Sequence, residues 1–230
     1  MDYFPISLDI RGRNCLVIGG GRVAERKVFG LLEYGAKVTV ISPELTEPLE
    51  NLRKKKEISW IDRLYKNGDL ANAFLVIAAT DDEKAQEEIH TEAAKHNILL
   101  NVADVPKWCN FILPATVRRG ELTISISTSG NSPALARQLR QSMEAQFGPE
   151  YEPLLELLGC LRPVVLGQGR PHSENKIIFE KLLHPDLLTW LNDASWDIIK
   201  DHIRAVLGSE VNLACLTEVE RDNPAQEVAD

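Results

Sequence analysis

The chain has 230 residues, 44% of them apolar and 26% charged, the composition of an ordinary folded protein rather than a disordered one. Lys and Arg total 26 against 34 Asp and Glu; the resulting net charge of −8 suits neither the wrapping of nucleic acid nor the coating of anionic lipid. No run approaches the roughly 18 apolar residues of a membrane span, and the start, Met1-Asp2-Tyr3-Phe4-Pro5, lacks the basic and apolar regions of a secretory signal. Cys15, Cys109, Cys160 and Cys215 lie far apart with no C-x-x-C spacing, which argues against a zinc ribbon or a disulfide framework and points to a reducing cytoplasm.

In chain order, Cys15-Leu16-Val17-Ile18 is a short apolar run that ends in glycines, as a buried strand does. Apolar positions 24, 28, 31 and 32 then follow helical spacing, and Gly35 stops that helix. Val38 to Ile41 is β-branched and predicts a second strand; Ile58 to Ile61 is a weaker third; Phe74 to Ala79 is a strong one. Asp82 to His96 is a charged helix, and Ile98 to Val102 is the next strand. Strands alternating with helices predict crossover units and a parallel sheet covered on both faces, so residues 1–113 read as an α/β domain. The pattern changes near Pro114. Phe111 to Arg118 and Glu121 to Ser127 are extended runs around the turn residues Arg119-Gly120, and Leu122, Ile124 and Ile126 alternate with polar residues. Ser132 and Pro133 start a helix that runs to Phe147. The apolar faces of this hairpin and helix, over 114–147, predict burial across a twofold homodimer. Beyond Gly148-Pro149, residues 148–230 read as helical, with helices at Leu154 to Leu161, Ile177 to Leu183 and Trp196 to Leu207; the polar stretch Glu218 to Asp230 reads as a frayed tail.

Gly19-Gly20-Gly21-Arg22-Val23-Ala24 fits G-x-G-x-x-A, directly after a strand and opening a helix. Gly19 would allow the tight turn, Gly21 the approach of a pyrophosphate, and Ala24 close packing of helix on sheet. The pyrophosphate would meet the N–H groups of the helix start. The acid that should bind the ribose at the end of the second strand is replaced by Ser42, followed by Pro43 and Glu44. No Arg stands there for a 2′-phosphate, so NAD is favoured over NADP. Asn101-Val102-Ala103-Asp104 ends the last strand, where ligands of such sheets bind; Asp104 is either a general base or the cap of a turn, and position alone leaves both open. Thr80-Asp81-Asp82 ends another strand and reads more readily as a helix cap. His90, His96, His172, His184 and His202 show no metal-ligand spacing, so metal ligands stay unassigned. Arg118, Arg119, Arg137 and Arg140 lie close in sequence and together would offset the acidic chain to grip a carboxylate-rich ligand.

Five motifs then agree in order: Gly19-Gly20-Gly21-x-Val23-Ala24-Glu25-Arg26-Lys27, Ala78-Ala79-Thr80-Asp81-Asp82, Asn101-Val102-x-Asp104-x-Pro106, Phe111-Ile112-x-Pro114 and Ser127-Thr128-Ser129-Gly130-x-Ser132-Pro133-x-Leu135-Ala136. Over residues 1 to 145 the chain resembles the precorrin-2 dehydrogenase/sirohydrochlorin ferrochelatase family, also found as the N-terminal module of siroheme synthase, and it reads as the stand-alone form. The resemblance implies an NAD-binding Rossmann domain, a dimerisation region and a helical C-terminal part. It implies a homodimer that oxidises precorrin-2 to sirohydrochlorin with NAD; some members also insert ferrous iron, and cobaltous ion is the other candidate metal substrate. It assigns Asp104 as the important carboxylate, the pairs Arg22-Val23 and Pro43-Glu44 to the cofactor with Thr80 and Asp81 nearby, and Thr128 with Ser129 to the tetrapyrrole cleft. The arginines are the candidate grip on that substrate's carboxylates. The rival reading is a Rossmann sensor that binds NAD and turns nothing over.

Overall fold

In the computed structural model, residues 3–222 are described. The chain divides between Leu113 and Pro114 into two compact units. The first contains β1 (Asn14–Ile18), α1 (Arg22–Glu33), β2 (Lys37–Ile41), α2 (Glu47–Lys54), β3 (Ser59–Ile61), β4 (Leu75–Ala78), α3 (Glu83–His96) and β5 (Leu99–Val102). The strands form one parallel sheet in the order β3-β2-β1-β4-β5. β4 is buried along its whole length and β1 from Cys15 onward, which is why both read as unbroken apolar runs. One face of the sheet packs Val17, Val40 and Ile77 against Ala24, Val28 and Leu31 of α1 and Leu49 of α2. The other face packs Ile18, Val76 and Leu100 against Ile89 and Ala93 of α3. The expected parallel α/β sheet is therefore present, and α2 is an addition to the predicted elements. Only Leu49 and Leu52 of α2 are buried, too few apolar positions to show a period in an eight-residue helix.

The connection between β3 and β4 is fixed by one buried carboxylate. Glu92 of α3 is 4% exposed and accepts hydrogen bonds from the Tyr65 hydroxyl, from Gly68 N–H at 2.9 Å and from Leu70 N–H at 3.0 Å. Burial first, and the Glu92 hydrogen bond second, push the Tyr65 phenol well above its ordinary range, so it remains a donor.

The second unit opens with an antiparallel hairpin, β6 (Ala115–Arg119) and β7 (Leu122–Ile126), with Val117 opposite Ile124. α4 (Pro133–Gln146) follows, capped by the Ser132 hydroxyl, which accepts from Leu135 N–H at 3.2 Å. Then come α5 (Tyr151–Gly167), α6 (His172–Leu182), α7 (Leu187–Asn192), α8 (Trp196–Leu207) and α9 (Leu216–Asp222). Their core includes Leu157, Leu161, Leu191, Ile199, Ile203 and Leu216. Three expectations need correction. α7 is a helix where none is predicted, because six residues carry less than two turns of pattern. Glu218 to Asp222 belong to α9 rather than to a frayed tail: Leu216 and Val219 are buried, and Lys200 Nζ meets Glu220 at 2.7 Å. The rest of the predicted tail, residues 223–230, lies outside the described residues. Finally, Cys160 and Cys215 form a disulfide between α5 and the segment entering α9, with Cα atoms 5.9 Å apart. The sequence spacing gave no sign of it, because helix packing rather than local sequence brings residues 55 apart together.

The Glu92 clamp predicts that Glu92→Ala, which strands buried donors, lowers unfolding free energy in urea by about 2 kcal/mol or more, since each unsatisfied buried group costs roughly 1–3 kcal/mol. A cost under about 0.5 kcal/mol, the range of ordinary surface substitutions, would show that the clamp carries no stability.

Candidate functional site

The strand order reverses direction between β1 and β4, and in such sheets the crevice for a ligand lies outside the carboxyl ends of the strands there. The glycine turn after β1 fills that place. Gly19 has φ +115°, and a Cβ on it would sit 2.2 Å from the Ala79 carbonyl oxygen. A Cβ on Gly20 would lie 1.9 Å from the Glu44 carbonyl oxygen. Thr46 N–H also binds the Gly20 carbonyl at 3.0 Å, so the loop after β2 closes down on the glycine turn. Gly21 is different: a Cβ there would meet nothing within 4 Å. It is the N-cap of α1 and offers no side chain to the N–H groups of the first turn.

Two clefts border this turn. One, about 450 Å³, is lined by Gly20, Gly21, Ser42, Pro43, Glu44, Leu45 and Thr46. The other, about 240 Å³, includes Ile18, Gly19, Ser42, Pro43, Tyr65 and Thr80 in its lining. Open space over Gly21, an uncapped helix start and a cleft between the glycine turn and the end of β2 fit a dinucleotide whose pyrophosphate rests on α1. Ala24 is fully buried against the sheet, while Arg22 and Val23 are exposed at the start of α1. Ser42 is buried; its hydroxyl accepts from Glu44 N–H at 3.4 Å and its carbonyl from the Trp60 indole at 2.8 Å, so it shapes the cleft as much as it faces it. Pro43 and Glu44 are exposed on the cleft. Thr80 lines the second cleft, and its hydroxyl accepts from Asp82 N–H at 3.3 Å. Asp82 caps α3, accepting from Lys84 and Ala85 N–H at 3.0 and 3.1 Å. Asp81 is exposed between them and lines neither cleft.

Asp104 stands on the same carboxyl edge of the sheet, just past β5. It is exposed, at φ +61°, and no side-chain hydrogen bond or ion pair holds it among the described residues. Its charge is felt by Lys27, a half-buried residue on α1. Burial above all, and then Arg26, hold the Lys27 ammonium below its ordinary range, while Asp104 pulls it back up. Sequence reasoning passed over Lys27 as one member of a motif; a charged residue amid the apolar positions 24, 28 and 31 was the available signal. It also missed Cys109 and Asn110, which fasten the segment after Asp104 to β5. Asn101 donates from Nδ2 to the Phe111 carbonyl at 3.1 Å.

In the second unit, Thr128 and Ser132 close a turn at the head of α4: the Thr128 hydroxyl accepts from Ser132 N–H and lies 3.2 Å from the Ser132 carbonyl. Ser129 has φ +51° beside it. Arg119 binds the Phe147 and Glu144 carbonyls at the end of α4 at 2.9 and 3.2 Å, and the neighbouring Arg118 carbonyl on β6 at 2.8 Å. Arg118 donates to the Gly120 carbonyl at 3.0 Å, and Arg140 pairs with Glu144. Arg137 is exposed on α4. Three of the four arginines are thus engaged within their own unit. Among the described residues no group of three His, Cys, Asp or Glu side chains is placed to hold a metal ion.

Comparison with known proteins adds to this geometry. A family model described as putative NAD(P)-binding matches residues 6–115, and one described as sirohaem biosynthesis protein central matches residues 119–146. Siroheme synthase of Nitrosococcus oceani is 39% identical over 183 residues, 80% of this chain and 39% of that protein. The chain is therefore similar to siroheme synthases over 80% to 98% of its own length. Siroheme synthase of Zymomonas mobilis, 32% identical over 226 residues, extends the match to 98% of this chain but only 45% of its own length. The chain spans less than half the length of these curated relatives. A solved structure titled SirC, precorrin-2 dehydrogenase shares the fold, with a TM-score of 0.74 at 24% identity, covering 89% of this chain and 98% of that one. The stretch matched as putative NAD(P)-binding includes the glycine turn and the lining of both clefts.

The spaces around the glycines predict opposite outcomes for neighbouring substitutions. Gly21→Asp should fold, since its Cβ meets nothing, yet lose dinucleotide binding through charge and bulk. Gly20→Ala should fail through instability, because its Cβ collides with backbone. Melting curves and NAD titration of both variants check this; full NAD affinity in a folded Gly21→Asp defeats the pyrophosphate assignment.

Proposed function

We propose that this protein oxidises precorrin-2 to sirohydrochlorin with NAD. The observation that carries the reading is Asp104, an unengaged carboxylate at the carboxyl end of β5 on the edge that also bears the glycine turn. Relatives named siroheme synthase and a fold neighbour titled precorrin-2 dehydrogenase support it. Bound NAD supplies the hydride acceptor. The chain's own part is to seat the pyrophosphate on the α1 N-terminus, to line the adenosine side with Ser42, Pro43 and Glu44, and to take up the proton that leaves with oxidation. Asp104 is the base for that proton. Glu44, the one charged residue in the lining of the larger cleft, opposes a 2′-phosphate and favours NAD over NADP. Thr80 lies at the cofactor's edge, with Asp81 next to it in sequence but outside both clefts. Thr128, Ser129 and Arg137, with whatever reach Arg118 and Arg119 retain, are the substrate contacts. Removal of pyrrole N–H protons during insertion of ferrous or cobaltous ion would use the same carboxylate, with the metal as substrate; solvent-exposed Asp104 can act in both steps.

The proposed assembly is a homodimer through α4 and the hairpin. α4 contains no buried residue, and Leu135 and Leu139 are 46% and 39% exposed on it. Ile124 and Ile126 of β7 are only partly covered. A second copy of the same surface would bury these faces. The proposed compartment is the cytoplasm, where the nicotinamide cofactor is found. No helix among the described residues is long and apolar enough to cross a membrane. A cytoplasmic thiol pool would keep Cys160 and Cys215 largely reduced.

Asp104→Asn keeps shape and tolerates the same backbone conformation but removes the base. It should bind NAD normally, keep its melting temperature and lose dehydrogenation by roughly a hundredfold to ten-thousandfold, the usual weight of a positioned general base. A stable, fully active variant would shift the role to Asp81 or to a carboxylate of the substrate. For the assembly, sedimentation at micromolar concentration should give a dimer, and Leu139→Asp should give a folded monomer; a monomeric parent protein rules the interface out.

A further inference from the structure

β5 is the outer strand of the parallel sheet, so one row of its backbone groups has no neighbouring strand. The segment returning after Asp104 satisfies that row with side chains. Asn110 accepts from Leu100 N–H through Oδ1 at 2.8 Å, donates from Nδ2 to the Ile98 carbonyl at 2.8 Å, and donates its own N–H to the Leu100 carbonyl at 3.0 Å. One step further along, Cys109 does the same for Val102. Its Sγ accepts from Val102 N–H at 3.2 Å and lies 3.3 Å from the Val102 carbonyl and 3.5 Å from the Val105 carbonyl. Val105 N–H closes back on the Val102 carbonyl at 3.3 Å. The turn 102–105 therefore has the Cys109 thiol bound at both of its ends, and Asp104 sits inside it at φ +61°.

We propose that Cys109 is a positioning residue for Asp104: its thiol fixes the turn that aims the carboxylate, through hydrogen bonds to Val102 and Val105. The proposal rests on the reading of Asp104 as the proton acceptor. Cys109 is 8% exposed, and burial raises its thiol pKa, so it stays a protonated donor rather than a nucleophile. The side chain of Asp104 has no partner of its own among the described residues, so its direction is set by the backbone beneath it. Nothing else among the hydrogen bonds of this loop reaches both Val102 and Val105 from a side chain. A small displacement of a catalytic group, on the order of 1 Å, costs up to about a hundredfold in rate.

The test compares Cys109→Ala, Cys109→Val, Cys109→Ser, Asp104→Asn and the double variant Cys109→Ala/Asp104→Asn. Valine fills the space of the thiol with neither donor nor acceptor; serine restores both. Melting temperature, NAD affinity, and kcat and KM for precorrin-2 are measured on each. Cys109→Ala or Cys109→Val should keep NAD affinity and KM within about twofold and lose roughly ten- to hundredfold in kcat. Cys109→Ser should recover most of that loss. In the Asp104→Asn background the alanine change should add nothing, because the group it aims is already gone. Wild-type kcat in a folded Cys109→Ala or Cys109→Val overturns the proposal, as does a loss that multiplies in the double variant. So does a folded Cys109→Ser that recovers none of the kcat lost in Cys109→Ala or Cys109→Val, which would leave Cys109 a packing residue alone. An active Asp104→Asn removes the carboxylate assignment and this proposal together; an inactive Asp104→Asn beside a fully active Cys109→Ala removes this proposal only.

Discussion

The first unit is organised by the near contact of backbone with backbone at the end of β1. Gly19 and Gly20 lie so close to the carbonyls of Ala79 and Glu44 that no side chain fits at either position. This closeness draws the ends of β2 and β4 in against the turn and leaves the clefts on either side of it. It also explains the split between neighbouring glycines. Two are required by the fold, and the third, Gly21, faces open space where only a ligand's approach would ask for the missing side chain.

The same economy of side chains governs the outer edge. A parallel sheet of five strands has two exposed rows of backbone groups, and the row on β5 is closed by Cys109 and Asn110 rather than by a sixth strand. Side chains satisfy the edge while leaving the loop between them with its own geometry, which a strand would have flattened. The left-handed residue Asp104 exists in that loop. An aspartate tolerates φ near +60° better than most residues, because its short polar side chain does not crowd the backbone. The backbone position and the chemistry thus select the same residue type.

Much of this was legible in the sequence. β1, β2, β4 and β5 were visible as apolar runs because both faces of the sheet are covered, and α8 matched its apolar period from Trp196 to Leu207 because one face of it fills the helical core. The glycine turn was legible because its spacing follows from the turn itself. Elements of six to eight residues, α2, α7 and α9, were not, since two buried residues make no period. Gly20 looked like the variable position of its motif, because the demand on it comes from Glu44, a distant carbonyl. The partnerships of Glu92 with Tyr65 and of Cys109 with Val102 join residues that only the tertiary fold makes neighbours. The arginine cluster was visible as composition, but composition cannot tell a cation aimed at a ligand from Arg119, which is held by three carbonyls of its own unit.

The bridge from Cys160 to Cys215 turns most of the helical unit into a covalent ring, with α6, α7 and α8 inside it. A backbone cut between α5 and α6 would not divide such a ring; the two pieces would stay joined through sulfur and keep α9 beside α5. Reduction alone would leave the ends of the unit held by Leu157, Leu161, Leu216 and the rest of the apolar core. The redox state of the surroundings therefore decides whether, after such a nick, α6 to α9 stay covalently tied to α5 or are held by the apolar core alone.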